Sequence, residues 1–318
     1  VAEIMKILVF GLGALGSVYS CLLKEQGHQV DGLDREAVIS CVKANGVNVN
    51  GIWGEHAARL DDLLTEVEQI ADRDYNLIVL TVKSYETEEV ARQIARVISP
   101  PTYILLAQNG YGNFEAAAQF IPASQLILGR VIFGAETTAW GASKVTVIAD
   151  DVVIGSPANL IDLQILKNFS AVFNAAGIPT RASSEVMKFV WGKIIYNSAL
   201  NPLGAILEVP YGKLGENPNT RVLMNNVIEE IFAVLKAQGQ ETLWPDAANY
   251  RRIFYEQLIP TTALHHASML QDIQRGRRTE IDALNGAVVR LGESYGVDTP
   301  VNRVIVSLIK AKEEMRIQ

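Results

Sequence analysis

Lys6-Ile-Leu-Val-Phe10, then Gly11-Leu12-Gly13-Ala14-Leu15-Gly16, then Ser17-Val-Tyr-Ser-Cys-Leu-Leu-Lys-Glu-Gln26 are the consecutive stretches that decide the fold. The first is apolar beyond its leading lysine and does not alternate, as a strand covered on both faces reads. The last reads as a helix, closed by Gly27 where a left-handed C′ residue belongs. Between them the glycines divide the labour. Gly11 allows a tight turn, Gly13 lets the backbone approach a pyrophosphate, and Gly16 lets the helix pack on the sheet. The helix N-terminus adds positive potential. A G-x-G-x-x-G alone is a weak signal, but strand before and helix after make it a dinucleotide-binding turn.

Working outward, residues 29–33 form a second strand that ends in Asp31-Gly-Leu-Asp34-Arg35. Asp34 lies about 20 residues beyond the turn, where an acid accepts ribose hydroxyls in NAD binders, whereas Arg35 suits the 2′-phosphate of NADP. The two side chains pull in opposite directions, so both NADP and NAD stay open. Residues 77–82 and 103–107 repeat the buried-strand signature, with a helix over 87–98 between them, ended by Ser99-Pro100-Pro101. Strands alternating with helices predict a Rossmann-type, doubly wound parallel sheet, an α/β fold. Residues 47–51 alternate and read as a hairpin edge. Residues 126–153, rich in β-branched side chains, read as strands that complete the sheet. Beyond Pro157 the pattern turns helical, over 159–176, 183–200, 218–237, 246–257 and 280–295. The expected organisation is a dinucleotide-binding domain over 1–168 and an all-α substrate and catalytic domain over 169–318.

Composition sets limits. The chain has 318 residues, 49% hydrophobic and 20% charged, enough for ordinary globular cores. Twenty-eight basic against 35 acidic residues leave a net charge of −7, which speaks against a nucleic-acid partner. Cys21 and Cys41 make no disulfide framework, and neither they nor the four histidines show metal-ligand spacing, so no metal is expected. The opening Val1-Ala2-Glu3-Ile4-Met5-Lys6 carries no basic n-region or cleavage site, and no apolar run reaches membrane-spanning length. A cytoplasmic protein without a membrane partner is expected.

Lys83 and Asn109 follow apolar strands, and ligands of open α/β sheets bind beyond the carboxyl ends of such strands. The sharpest constellation is Lys193, Asn197 and Asn201, spaced i, i+4, i+8 within Trp191-Gly-Lys-Ile-Ile-Tyr-Asn-Ser-Ala-Leu-Asn-Pro-Leu203. Steps of four drift only about 40°, so all three line one helix face over roughly 12 Å. Amid apolar neighbours such groups need partners. Farther on, Ser268-Met-Leu-Gln-Asp-Ile273 and Arg278-Thr-Glu-Ile-Asp282 add polar groups, with Glu280 able to balance an ammonium.

The glycine turn, Thr81-Val-Lys83, Asn109-Gly110, Lys193-x3-Asn197-x3-Asn201-Pro202-Leu203 and the last two motifs occur in an order that resembles the ketopantoate reductase (2-dehydropantoate 2-reductase) family over nearly the whole chain. The resemblance implies NADPH-dependent reduction of 2-dehydropantoate to (R)-pantoate in pantothenate biosynthesis, with a small 2-oxo acid as partner and a homodimer allowed. It makes Lys193 the proton donor with Glu280 as its catalytic partner. Asn109, Lys193, Asn197, Asn201 and Ser268 become substrate contacts. Gly11, Leu12, Gly13, Ala14, Leu15, Gly16, Arg35, Lys83, Asn109, Ala135 and Glu280 become cofactor contacts. Tyr211 and His265 depart from the family pattern at positions where substrate-contacting asparagines occur. The alternatives are therefore a same-family reductase of another branched or aromatic 2-oxo acid and, more distantly, a non-catalytic dinucleotide sensor.

Overall fold

The first strand, β1 (Lys6–Phe10), forms on the predicted apolar run, and its last four residues are buried. A computed structural model describes residues 4–71 and 73–317; the reading of the first three residues lies outside them. The chain divides into two compact units, Val1–Gln108 with Asn113–Val186, and Asn109–Gly112 with Met187–Gln318.

In the first unit, β2 (Gln29–Leu33) runs parallel to β1, with Val30 opposite Ile7. Chain order then gives β3 (Val47–Gly51), β4 (His56–Ala58), β5 (Leu63–Leu64), β6 (Leu77–Leu80) and β7 (Tyr103–Leu106). After these come β8 (Leu126–Arg130), β9 (Phe133–Ala139), β10 (Ala142–Ile148), β11 (Val152–Gly155) and β12 (Thr180–Ala182). The main sheet has eight strands in the order β12-β11-β8-β7-β6-β1-β2-β5, parallel except where β11 meets β8. Its order reverses direction at β1, the position where an open α/β sheet leaves a ligand crevice. The core gathers Ile7, Val9, Val30, Leu77, Val79 and Leu105 from these strands, with Val18, Tyr19 and Leu22 from the helix Ala14–Glu25.

The segment 126–153 does not all join this sheet. β9 and β10 pair with each other and, through β3 and β4, form a separate four-stranded sheet in the order β4-β3-β10-β9. β-Branched composition makes strands but leaves the pairing partner to long-range packing. Here that packing is against the helix Ala14–Glu25, whose first carbonyl, that of Ala14, accepts from the Ser143 hydroxyl at 2.9 Å. The first unit also runs later than residue 168. The helix Leu163–Ala175, capped by the Asp162 carboxylate on the Gln164 N–H, leads into β12, which pairs parallel to β11.

The second unit is helical. Its longest element, Val186–Leu207, runs through Pro202 rather than stopping before it. A proline in a helix leaves the carbonyl four residues back without its N–H. That carbonyl belongs to Ser198, and the Asn285 amide donates to it at 3.0 Å. Asn285 is held in turn by Asn302, which bonds Glu230, so a buried polar chain replaces the missing bond. Asn217 caps the helix Pro218–Gln238 through the N–H groups of Asn219 and Thr220. On that helix Val227, Ile228, Ile231 and Leu235 are buried, whereas Val222 and Leu223 are exposed. The helix expected over 280–295 begins only at Asn285, after a short turn at Ile281–Ala283, which leaves Glu280 outside it. Among the described residues, no helix is long and apolar enough to cross a membrane.

Candidate active site

The glycine turn of the first unit has the three environments that the motif requires. Gly11 sits at φ +97°, and a Cβ there would press on the backbone of Thr81 and Val82. A Cβ on Gly16 would fall 1.7 Å from the Gly11 carbonyl oxygen, so helix and turn touch without room for any side chain. At Gly13 a Cβ would meet nothing within 4 Å. The middle glycine therefore faces open space. Thr81, at the end of β6, braces the turn by donating to the Gly11 carbonyl at 2.5 Å.

Asp34 has a use that spacing did not reveal. One carboxylate oxygen accepts the Leu12 N–H at 2.6 Å and the other accepts the Arg35 N–H at 2.7 Å. The acid thus ties the end of β2 to the glycine turn. Arg35 behaves differently: its side chain is 80% exposed, and its guanidinium lies 5.8 Å from the centre of the Trp140 ring. Lys83 stands just before the short turn Ser84–Glu86, and Ala135 sits on β9 opposite Val145, packed against the core of this unit.

In the second unit, Asn109, Lys193 and Glu280 come together although 84 and 171 positions separate Asn109 from the other two. The Lys193 Nζ donates to Asn109 Oδ1 at 2.6 Å, and Asn109 Nδ2 donates to Glu280 Oε2 at 3.3 Å. Asn109 therefore links an ammonium to a carboxylate with each end of its amide in the matching role. The segment Asn109–Gly112 is more than a turn. Gly110 has φ +88°, and a Cβ there would lie 2.5 Å from the Ala283 carbonyl oxygen, so only glycine admits this approach. Next to it, the Tyr111 N–H donates to that same oxygen at 2.7 Å, and the Tyr111 ring stacks on Trp191 at 5.1 Å.

Asn109 and Glu280 line a shallow recess together with Asn201, Ser268 and Asp272, with Met269 and Leu284 as its apolar wall. Asn201 lies two turns beyond Lys193 on the same helix, and its carbonyl oxygen accepts from the Tyr211 hydroxyl. Asn197, between them, is buried to 9% exposure. Among the described residues no group of histidines, cysteines and acids is placed to hold a metal ion.

The profile described as "Ketopantoate reductase PanE/ApbA" matches residues 7–159, and "Ketopantoate reductase PanE/ApbA C terminal" matches residues 185–313. The chain belongs to the ketopantoate reductase family. It is 46% identical over 310 residues to the 2-dehydropantoate 2-reductase of Aquifex aeolicus, covering 98% of this chain and 97% of that one. A PanE/ApbA family ketopantoate reductase from Ralstonia eutropha superposes with a TM-score of 0.87 at 28% identity, covering 99% of this chain and all of that one. A D-mandelate dehydrogenase solved with NADH and anilino(oxo)acetate superposes equally well, with a TM-score of 0.87 at 27% identity over 98% of this chain and 99% of that one.

Within this ketopantoate reductase fold, five of the residues singled out from sequence converge in the second unit: Asn109, Lys193, Asn201, Ser268 and Glu280. Two further residues near this cluster were given no role by the sequence reading. Asp272 reads only as one polar group within Ser268–Ile273, yet it is 8% exposed and lines the recess. Helical spacing carried the missing signal, since Asp272 lies one turn after Ser268 and therefore on its face. Tyr211 reads only as a departure from the family pattern, and nothing in its neighbours announces a bond to Asn201.

Proposed function

We propose that the protein is a cytoplasmic NADPH-dependent reductase of 2-dehydropantoate, forming (R)-pantoate for pantothenate and hence coenzyme A biosynthesis. The observation that carries this reading is the Lys193–Asn109–Glu280 relay beside a recess lined by Asn201 and Ser268. Its support from kinship is the 46% identity to a 2-dehydropantoate 2-reductase. The glycine turn suits a dinucleotide, because Gly13 leaves the space a pyrophosphate needs while Gly11 and Gly16 admit no side chain. The turn from Gly11 through Leu12, Gly13, Ala14 and Leu15 to Gly16 would hold the pyrophosphate, Arg35 the 2′-phosphate, and Lys83 and Ala135 further parts of the cofactor. When bound, NADPH supplies the hydride.

The chain's own residues supply the proton and the placement. The Lys193 ammonium stands ready as the acid where negative charge develops on the ketone oxygen, stabilising that charge before giving up its proton. Asn109 Oδ1 fixes the direction of the ammonium, and Glu280 sets the direction of Asn109. Asn197, Asn201 and Ser268 offer neutral hydrogen-bond groups for the carboxylate and hydroxyl of the substrate. Asp272 and Glu280 bring acids to the same recess, so an anionic substrate depends on such donors and on the Lys193 ammonium.

A second reading, reduction of an aromatic or other branched 2-oxo acid with NADH, is favoured by the Tyr211 ring against His265 at 5.3 Å and by the likeness to D-mandelate dehydrogenase. The deciding experiment follows oxidation of NADPH and of NADH by the purified protein with 2-dehydropantoate, 2-oxoisovalerate and phenylglyoxylate. The highest kcat/KM with 2-dehydropantoate and NADPH is expected. Preference for phenylglyoxylate would transfer the assignment to the second reading.

A further inference from the structure

We propose that Tyr211 is a positioning residue that turns the Asn201 amide so that its NH2 group, and not its carbonyl, meets the bound 2-oxo acid. The inference rests on the reductase reading and deepens it by giving this part of the recess a fixed polarity. An asparagine amide offers two donors on one side and one acceptor oxygen on the other, and rotation exchanges them. Left to itself, Asn201 could present either side to a ligand. Its rotation is blocked by the Tyr211 hydroxyl, which donates to Asn201 Oδ1.

Both partners are buried, Asn201 at 6% and Tyr211 at 3% exposure. Burial pushes the phenol pKa well above its usual value, so the hydroxyl keeps its proton. A buried O–H needs an acceptor, and the Asn201 carbonyl is the one it has. The ring is held as firmly as its hydroxyl. Tyr196 meets it edge-on at 6.0 Å, His265 at 5.3 Å, and the Tyr211 N–H donates to the His265 carbonyl at 3.1 Å. Tyr196 is itself fixed through its hydroxyl to Thr262 at 2.6 Å. With the carbonyl engaged, the NH2 group is the part of the amide left for the recess. That recess holds the carboxylates of Asp272 and Glu280, so a carbonyl there would add a third acceptor where an anionic substrate needs donors.

The test is a double-mutant cycle with Tyr211→Phe and Asn201→Ala, measuring KM and kcat for 2-dehydropantoate with NADPH and the Tm of each protein. Tyr211→Phe keeps the ring packing and frees the amide. It is expected to raise KM about fivefold to tenfold with kcat nearly unchanged, the scale of one neutral hydrogen bond. In the Asn201→Ala background the same change should do nothing, because there is no amide left to orient. An equal penalty in both backgrounds would make Tyr211 merely structural and overturn the proposal.

A second measurement needs no turnover. In protein carrying isotope-labelled asparagine, the Asn201 NH2 signals, assigned by their loss in Asn201→Ala, are expected to shift and broaden in Tyr211→Phe as the amide begins to rotate. Unchanged signals would overturn the proposal whatever the substrate. Failure of the unaltered protein to reduce 2-dehydropantoate would instead strike the reductase reading, and the resonance test would still decide the role of Tyr211.

Discussion

Replacing Asn109 by alanine tests the relay at its centre. The amide accepts from the Lys193 ammonium at 2.6 Å and donates to the Glu280 carboxylate at 3.3 Å. The first is a short bond to a charged group, worth about 1.5–3 kcal/mol. The second is long and adds little. If Asn109 aims the ammonium in the transition state, that energy appears in kcat, and at about 1.4 kcal/mol per factor of ten the loss is about 10- to 150-fold. The backbone should hold its course, because the Tyr111 bond to Ala283 and its stacking on Trp191 are untouched. Steady-state kinetics with 2-dehydropantoate and NADPH, beside a thermal melt, therefore give a clean reading: kcat falls while Tm stays at the parent's value. A kcat equal to the parent's would refute the relay. A collapse of Tm together with kcat would show that Asn109 serves the fold rather than the chemistry.

Lys193→Ala should lower kcat by about 10²–10⁴-fold, the usual worth of one acid/base group, with the melt unchanged; near-parental turnover would remove Lys193 as the acid. Arg35→Ala should weaken NADPH binding by about 1.5–3 kcal/mol and leave NADH almost untouched, as titration calorimetry with both cofactors would show; equal losses would mean that Arg35 does not read the 2′-phosphate. Asp282 supplies a pH test. Burial opposes its charge, but hydrogen bonds from Lys310 at 2.8 Å and Arg278 at 3.0 Å outweigh it and hold the carboxyl below its usual range. A lowered folded pKa gives stability that is present above the unfolded carboxylate value and lost as pH falls through the folded one. Asp282→Asn should therefore lower Tm at neutral pH, with the gap closing as pH falls below the ordinary carboxylate range; a gap independent of pH would detach the effect from ionisation.

Where structure follows from local rules, the sequence was readable. The run from Lys6 to Gln26 declared strand, turn and helix because apolar runs, glycine spacing and helix ends are local signals. That Lys193, Asn197 and Asn201 share one helix was legible because helical spacing is local arithmetic. What escaped depends on distant partners. Residues 133–148 announced strands but not their sheet, which was settled by β3 and by the helix Ala14–Glu25. The helix through Pro202 could not be foreseen without Asn285, which is far along the chain and supplies the missing donor. Asn109 was legible as a residue beyond a strand end, but its bonds to Lys193 and Glu280 were not, since those partners become neighbours only after folding. Tyr211 stayed silent because a tyrosine after a proline says nothing of the amide it will bind.

The double capture of Asp34 bears on any effort to redesign cofactor preference. Engineers commonly treat the acid at the end of the second strand as a dial, exchanging it to admit or repel a phosphate. In this chain the same carboxylate fastens the Leu12 and Arg35 N–H groups, so it is also a rivet in the glycine turn itself. Exchanging it would release both N–H groups and loosen the turn at once, whatever it did to preference. The adjustable element is its neighbour Arg35, which projects into solvent and can be altered while the turn remains fastened.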